Sequence, residues 1–212
     1  MNGSEMVQPE VSPLEKPRGD KFEDRRGELA DATLQTLSEL GYARTSLREI
    51  AQHSKFSHGV LHYYFTDKVE LISYCVQRYK VSCVARYDQI VSQAQGSEEL
   101  RHGFAEALTL TLLEDTMMHR LWYDLRGQSL FETAFREDVA AIDLSLENLI
   151  YRIVGHYADL NASQCAFDSA TTYAMLDGLF QQALLKHLYG YEPAAVELRA
   201  AVEELLPRLL IR

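Results

Sequence analysis

A chain of 212 residues, 47% of them hydrophobic, is long enough for one small domain and one larger one, each with its own core. Five prolines and eleven glycines, with no alternating Val/Ile/Thr runs between turn pairs, exclude an all-β plan and predict an all-α protein. The net charge of −10 argues against a chain that coats nucleic acid indiscriminately, and no apolar run approaches the roughly 20 residues of a membrane span.

Residues 1–20 hold Pro9, Pro13 and Pro17 and little periodic apolar pattern, so a disordered arm is expected there. The opening MNGSEMVQPEV is acidic and polar, unlike a secretory leader. Cys75, Cys83 and Cys165 make an odd set without C-x-x-C spacing, which suits reduced structural thiols and a cytoplasmic location. A first helix is predicted from Phe22 to Leu40. It buries Leu29, Ala30, Ala32, Leu34, Leu37 and Leu40, and Gly41 closes it at C′.

Three short helical pieces follow between Gly41 and Leu71. Ser46-Leu47-Arg48-Glu49 fits a capping box and opens a helix with Leu47, Ile50 and Ala51 on its apolar face. Lys55-Phe56 breaks the pattern, and Ser57 caps a second helix holding Val60, Leu61 and Tyr64. Thr66-Asp67 caps a third, which begins with Lys68, Val69, Leu71 and Ile72. Two short helices joined by a tight turn and followed by a third are the parts of a helix-turn-helix DNA reader. His58, Gly59, His62 and Tyr63 face away from the apolar side, where a solvated helix usually carries Glu and Lys. A small three-helix core with an aromatic surface would show the same spacing.

The segment from Arg26 to Leu71 resembles the N-terminal domain of the TetR family of bacterial transcriptional repressors. Leu29 to Gly41-Tyr42 resembles that family's first helix, and Thr45-Ser46-Leu47-Arg48-Glu49-Ile50-Ala51 its second. Ser57-His58-Gly59-Val60-Leu61 resembles its recognition helix, and Tyr64-Phe65-Thr66-Asp67-Lys68 the junction beyond. The resemblance implies a helix-turn-helix unit over residues 21–70 and a ligand-binding and dimerisation unit over residues 71–212. It also implies phosphate contacts from the hydroxyls and N–H groups of Thr45 and Ser46. Arg48 is then the candidate for a bidentate guanine contact. His58, Gly59, Val60 and His62 meet base edges, and Tyr63, Tyr64 and Lys68 reach phosphates.

Lys55 stands where a turn glycine is usual, which asks for a turn geometry outside the left-handed region and brings an extra cation near the DNA backbone. His62 stands where tyrosine is most frequent. His58 and His62 are four apart, a metal-ligand spacing, but the glutamate of H-E-x-x-H is missing, so no metal or cofactor is expected. Charge is segregated. Residues 42–68 carry four basic and two acidic side chains, whereas residues 73–212 carry 12 basic and 19 acidic.

Beyond the reader, one long helix is predicted from Asp67 until just before Gln95-Gly96. A helix opened by Ser97 carries Leu100, Phe104, Leu108, Leu110, Leu112 and Leu113, and a shorter one runs from Met117 to Leu125. Phe131 to His156 is predicted helical, Asn161-Ala162-Ser163 is predicted to cap the next helix, and Pro193 to Ile211 forms the last, with Val196 in its apolar stripe. By resemblance the final two helices form a four-helix bundle with a second copy, about Met175, Gly178, Leu179, Gln182, Leu185 and Leu206. An ordinary buried hairpin is the alternative. Met118, His119, Trp122, Tyr123 and Arg126 combine soft, aromatic and cationic groups at helical spacings, a pattern that suits a pocket for a flat or acidic apolar molecule. The reading is a homodimeric repressor that binds a double-stranded operator and is released by an unidentified small-molecule effector. A ligand-independent regulator or activator, or a helical small-molecule carrier or enzyme, are the alternatives, although no G-x-S-x-G or phosphate loop is present.

Overall fold

The computed structural model describes residues 18–42 and 45–211. Residues 1–17 of the expected arm, together with Ala43 and Arg44, lie outside the described residues. The described chain is nearly all helix: α1 (Arg18–Leu40), α2 (Leu47–Gln52), α3 (His58–Tyr64), α4 (Lys68–Gln93), α5 (Ser97–Glu114), α6 (Thr116–Gln128), α7 (Arg136–Leu160), α8 (Ser169–Leu188) and α9 (Ala194–Arg208). A single turn of 3₁₀ helix, Thr133–Phe135, precedes α7. Two strands of two residues each, β1 (Gln164–Cys165) and β2 (Leu210–Ile211), pair antiparallel.

The caps of the first four helices act locally. Gly41 takes φ +74° and returns its N–H to Leu37 O at 2.8 Å, the left-handed stop that a side chain disfavours. Ser46 Oγ accepts from Glu49 N–H, Ser57 Oγ from Val60 N–H, and Asp67 Oδ1 from Glu70 N–H.

Three buried clusters stack along the molecule. The head cluster joins Leu29 of α1 to Leu47, Ile50, Phe56, Leu61, Phe65, Leu71 and Cys75. The body cluster joins α4, α5, α7, α8 and α9. Between them a junction cluster packs Leu37 and Tyr42 against Ile72, Val76, Leu121, Trp122, Leu125, Phe135, Val139 and Ile142. No linker separates head from body at residue 70, because α4 runs continuously through both and gives Leu71 to one cluster and Ile72 to the next.

Several sequence expectations are corrected. α1 begins at Arg18, inside the stretch assigned to the arm. Leu110 and Leu113 are 44% and 48% exposed, so the inner stripe of α5 is Leu100, Phe104, Leu108 and Leu112. Phe131 is exposed ahead of the 3₁₀ turn, and α7 starts only at Arg136. Asn161-Ala162-Ser163 does not cap α8. Asn161 ends α7, Ala162 sits at φ +48°, β1 follows, and Asp168 caps α8 by accepting from Thr171 N–H. The last helix ends at Arg208 because Leu210 and Ile211 pair with β1, and Val196 faces solvent.

Candidate nucleic-acid interface and effector cavity

α2 and α3 share one inner side, formed by Leu47, Ile50 and Leu61, and this leaves a common outer side. On that outer side Ser46, Arg48, Lys55, Ser57, His58, Gly59, His62 and Tyr63 are all exposed, while Val60 and Tyr64 are half-buried. Ser54 Oγ accepts from Phe56 N–H in the turn, and Lys55 stays out of the left-handed region with its ammonium 5.2 Å from the Phe56 ring. His58 and His62 meet edge to face at 4.4 Å between centroids. Tyr63 and Tyr64 also meet edge to face, and Phe22 of α1 packs on Tyr64 at 4.8 Å, which steadies the C-terminal end of α3.

Two expected phosphate ligands are otherwise engaged. Thr45 is buried; its hydroxyl donates to Gly41 O at 2.7 Å and its N–H to Tyr42 O, so it braces the turn rather than facing DNA. Lys68 is half-buried, with its ammonium 3.7 Å from the Tyr42 ring centre and donating to Tyr42 O at 3.2 Å. Burial lowers its pKa.

Tyr42 is the point where head meets body. Its N–H donates to Asp124 Oδ2 of α6 at 3.0 Å and its hydroxyl to Glu132 Oε2 at 3.3 Å. Burial, with Glu132 adding to it, pushes the phenol up to about 12.

The other face of α6 borders a cavity of about 70 Å³. His119, Trp122 and Tyr123 line it, as their spacing suggests. Met118 lines an adjoining cavity of about 30 Å³ that shares Cys83, His119, Trp122 and Leu146 with the first. Arg126 lies outside both walls. Its Nη1 donates to Asp177 Oδ2 at 2.6 Å and its Nε stands 3.2 Å from Asp143 Oδ2, so the expected cation for an acidic ligand is already neutralised. Tyr123 OH donates to Asp177 Oδ1 at 2.8 Å and Tyr173 OH to Asp143 Oδ1 at 2.9 Å. Burial pushes His119 down to about 4, which keeps the imidazole neutral beside the Tyr79 hydroxyl, 3.1 Å away. Sequence reasoning missed the remaining wall: Cys83 and Tyr87 of α4, Leu108 and Thr111 of α5, Leu146, Leu149 and Ile150 of α7, and Tyr173, Leu176, Asp177 and Phe180 of α8. Spacings of three and four within each helix were the available signal, but which helices converge is a tertiary fact.

Met175, Gly178 and Leu179 of α8 are half-buried, and Gln182 and Leu185 are exposed on the same side. Leu206 is only 1% exposed, because α9 turns Leu198, Val202 and Leu206 into the body core. It cannot touch a second copy. Ala201 and Leu205 take that side instead and form an open groove with Met175 and Leu179.

Residues 29–75 match the family model described as bacterial regulatory proteins, tetR family. The chain is 26% identical over 172 residues to the HTH-type transcriptional regulator BetI of Paraburkholderia phymatum, covering 80% of this chain and 86% of that one. It superposes on a TetR transcription regulator from Haloarcula marismortui with a TM-score of 0.74 at 18% identity, over 90% of this chain and all of the other. A transcriptional regulator from Saccharomonospora viridis in complex with choline superposes with a TM-score of 0.72 at 14% identity, over 90% of this chain and 99% of that one. At these identities the structural likenesses speak for the fold.

Proposed function

We propose that this chain, which belongs to the TetR family of bacterial regulatory proteins and is a DNA-binding transcriptional regulator, acts as a homodimeric repressor released from a palindromic operator by a small molecule. The observation that carries the reading is the outer side of α2 and α3, where Arg48, His58, Gly59 and His62 stand exposed over a fully packed apolar inner side. Arg48 reads guanine, the α3 residues read neighbouring base edges, and Ser46, Ser57 and Tyr63 hold the phosphate chain. Two copies pair through the α8–α9 side with Met175, Gly178, Leu179, Gln182, Leu185, Ala201 and Leu205, which sets two α3 helices about one DNA turn, ~34 Å, apart.

Release runs through α6. Trp122 belongs both to the cavity wall and to the junction cluster, and Asp124, two residues on, holds the backbone of Tyr42. A ligand that fills the cavity moves α6, and with it the end of α1 and the head. The effector need only prefer the DNA-incompetent spacing by ~1–3 kcal/mol to change operator affinity about 5- to 150-fold. The choline held by the S. viridis regulator supports a body that accepts small molecules. A selection of genomic fragments by the purified protein tests the reading. Enrichment of a palindromic sequence supports it, and fragments retained without any shared sequence would remove it.

A further inference from the structure

Taking the body as the effector-binding unit, we infer that the cavity beside α6 takes a small uncharged ligand, an apolar body bearing one hydrogen-bond acceptor, and that this acceptor meets the indole N–H of Trp122. The inference rests on which polar atoms around the cavity are already satisfied. Asp177 is the one charged side chain in the wall among the described residues. Tyr123 OH holds its Oδ1 and Arg126 Nη1 its Oδ2, so its charge is already paired within the protein. Arg126 in turn is shared between Asp177 and Asp143, which leaves no cation at the larger cavity for an incoming carboxylate; Lys80 lines only the smaller adjoining one. The Thr111 hydroxyl is bonded to Tyr87 OH at 2.9 Å and to Arg86 at 3.3 Å, and His119 Nε2 to Tyr79 OH.

Trp122 is the exception. The residue is 5% exposed, it lines both cavities, and its Nε1 is buried with no hydrogen-bond partner among the described residues. A buried donor left unpaired is costly, and an acceptor brought in by a ligand removes that cost. Most of the remaining wall of the larger cavity is ring or aliphatic surface, with the Cys83 thiol among it. A volume of about 70 Å³, with the neighbouring 30 Å³ behind the shared side chains, limits the body to about one ring.

The test uses four probes of one size class on the full chain: cyclohexanone, methylcyclohexane, cyclohexanecarboxylate and tetramethylammonium. Trp122 is the single tryptophan, so its emission reads the site directly, with calorimetry as the second readout. Both ions are expected to bind at least tenfold more weakly than cyclohexanone, and methylcyclohexane, which gives up no hydrogen bond to water, serves as the reference for the apolar contribution. Trp122→Phe keeps an aromatic ring but removes the donor and, with it, the fluorophore, so calorimetry reads the variant: cyclohexanone should weaken about tenfold relative to methylcyclohexane. Should that variant fail to fold, the wild-type emission decides: the ketone is expected to shift it to longer wavelength and the hydrocarbon is not, and an identical response to both overturns the inference. Tightest binding by either ion, or an unchanged ratio of ketone to hydrocarbon affinity in Trp122→Phe, overturns the inference and leaves the effector-binding reading standing. If no probe binds, the cavity is not an effector site and both readings of it fall.

Discussion

Replacing Gly59 separates reading DNA from building the fold. Gly59 is the second residue of α3, a place where glycine costs about 0.5–1 kcal/mol against alanine in helix stability. A Cβ built there meets nothing within 4 Å, so Gly59→Ala adds a methyl group to open space without a clash. Near a helix end the gain falls at the low side of the range, about 0.5 kcal/mol, which for a chain of this length raises the melting temperature by about 1–2 °C. On the operator the same methyl stands between α3 and the groove. Holding the helix off its base edges should weaken binding about tenfold, close to the loss of one base-pair contact at ~1–3 kcal/mol. Thermal unfolding followed by circular dichroism and operator binding followed by fluorescence anisotropy measure the two effects on one preparation. A variant that is stabilised yet binds the operator as tightly as wild type refutes the placing of Gly59 on the DNA face, and a destabilised variant refutes the reading of open space around it.

Arg48→Ala should leave the melting temperature unchanged, since Arg48 is exposed, and cost about 1–3 kcal/mol of operator binding with a relaxed base preference, read by competition with single-base operator variants. Lys68→Ala should instead lower the melting temperature, because its ammonium serves the Tyr42 ring and carbonyl; an unchanged melting temperature would return Lys68 to the phosphate contacts. His119 is pushed from 6.5 to about 4, so the unfolded chain takes up its proton first as pH falls. The stability it contributes is complete above the unfolded value of 6.5 and is lost as pH falls towards 4. Between pH 7 and pH 5 that amounts to about 2 kcal/mol, which urea unfolding should detect in wild type and find reduced in His119→Leu. Asp124→Ala removes the acceptor for Tyr42 N–H. It should cost about 1 kcal/mol of stability and weaken the effect of a bound ligand on operator affinity while leaving ligand affinity itself in place, as paired titrations would show.

Legibility from sequence followed the range of the interactions. Gly41, Ser46, Ser57 and Asp67 act on backbone groups within four residues, and each is legible in the sequence. The same local logic failed at Asn161-Ala162-Ser163, where a plausible cap lost to Asp168 because the chain first pairs β1 with β2, a contact between residues more than forty apart. Thr45 and Lys68 carry the right chemistry for phosphate, but Gly41 O and the Tyr42 ring and carbonyl engage them. Leu206 and Leu205 are equally apolar neighbours, and only the packing of α9 against α5 and α8 decides which is inside. His119, Trp122 and Tyr123 were recognisable as a cluster on one helix. The Tyr173–Asp143 and Asp177–Arg126 contacts that neutralise the charges near them belong to helices brought together only by the fold.

The measurement that bears most directly on this account is a titration of the selected operator fragment at about 50 and 200 mM salt, with the number of chains per site counted by sedimentation. Two chains on one palindrome, with affinity falling by about 10³–10⁵ between those salt concentrations, is what a dimeric reader with six to ten phosphate contacts predicts. A single chain on a site without symmetry, or an affinity indifferent to salt, would contradict it.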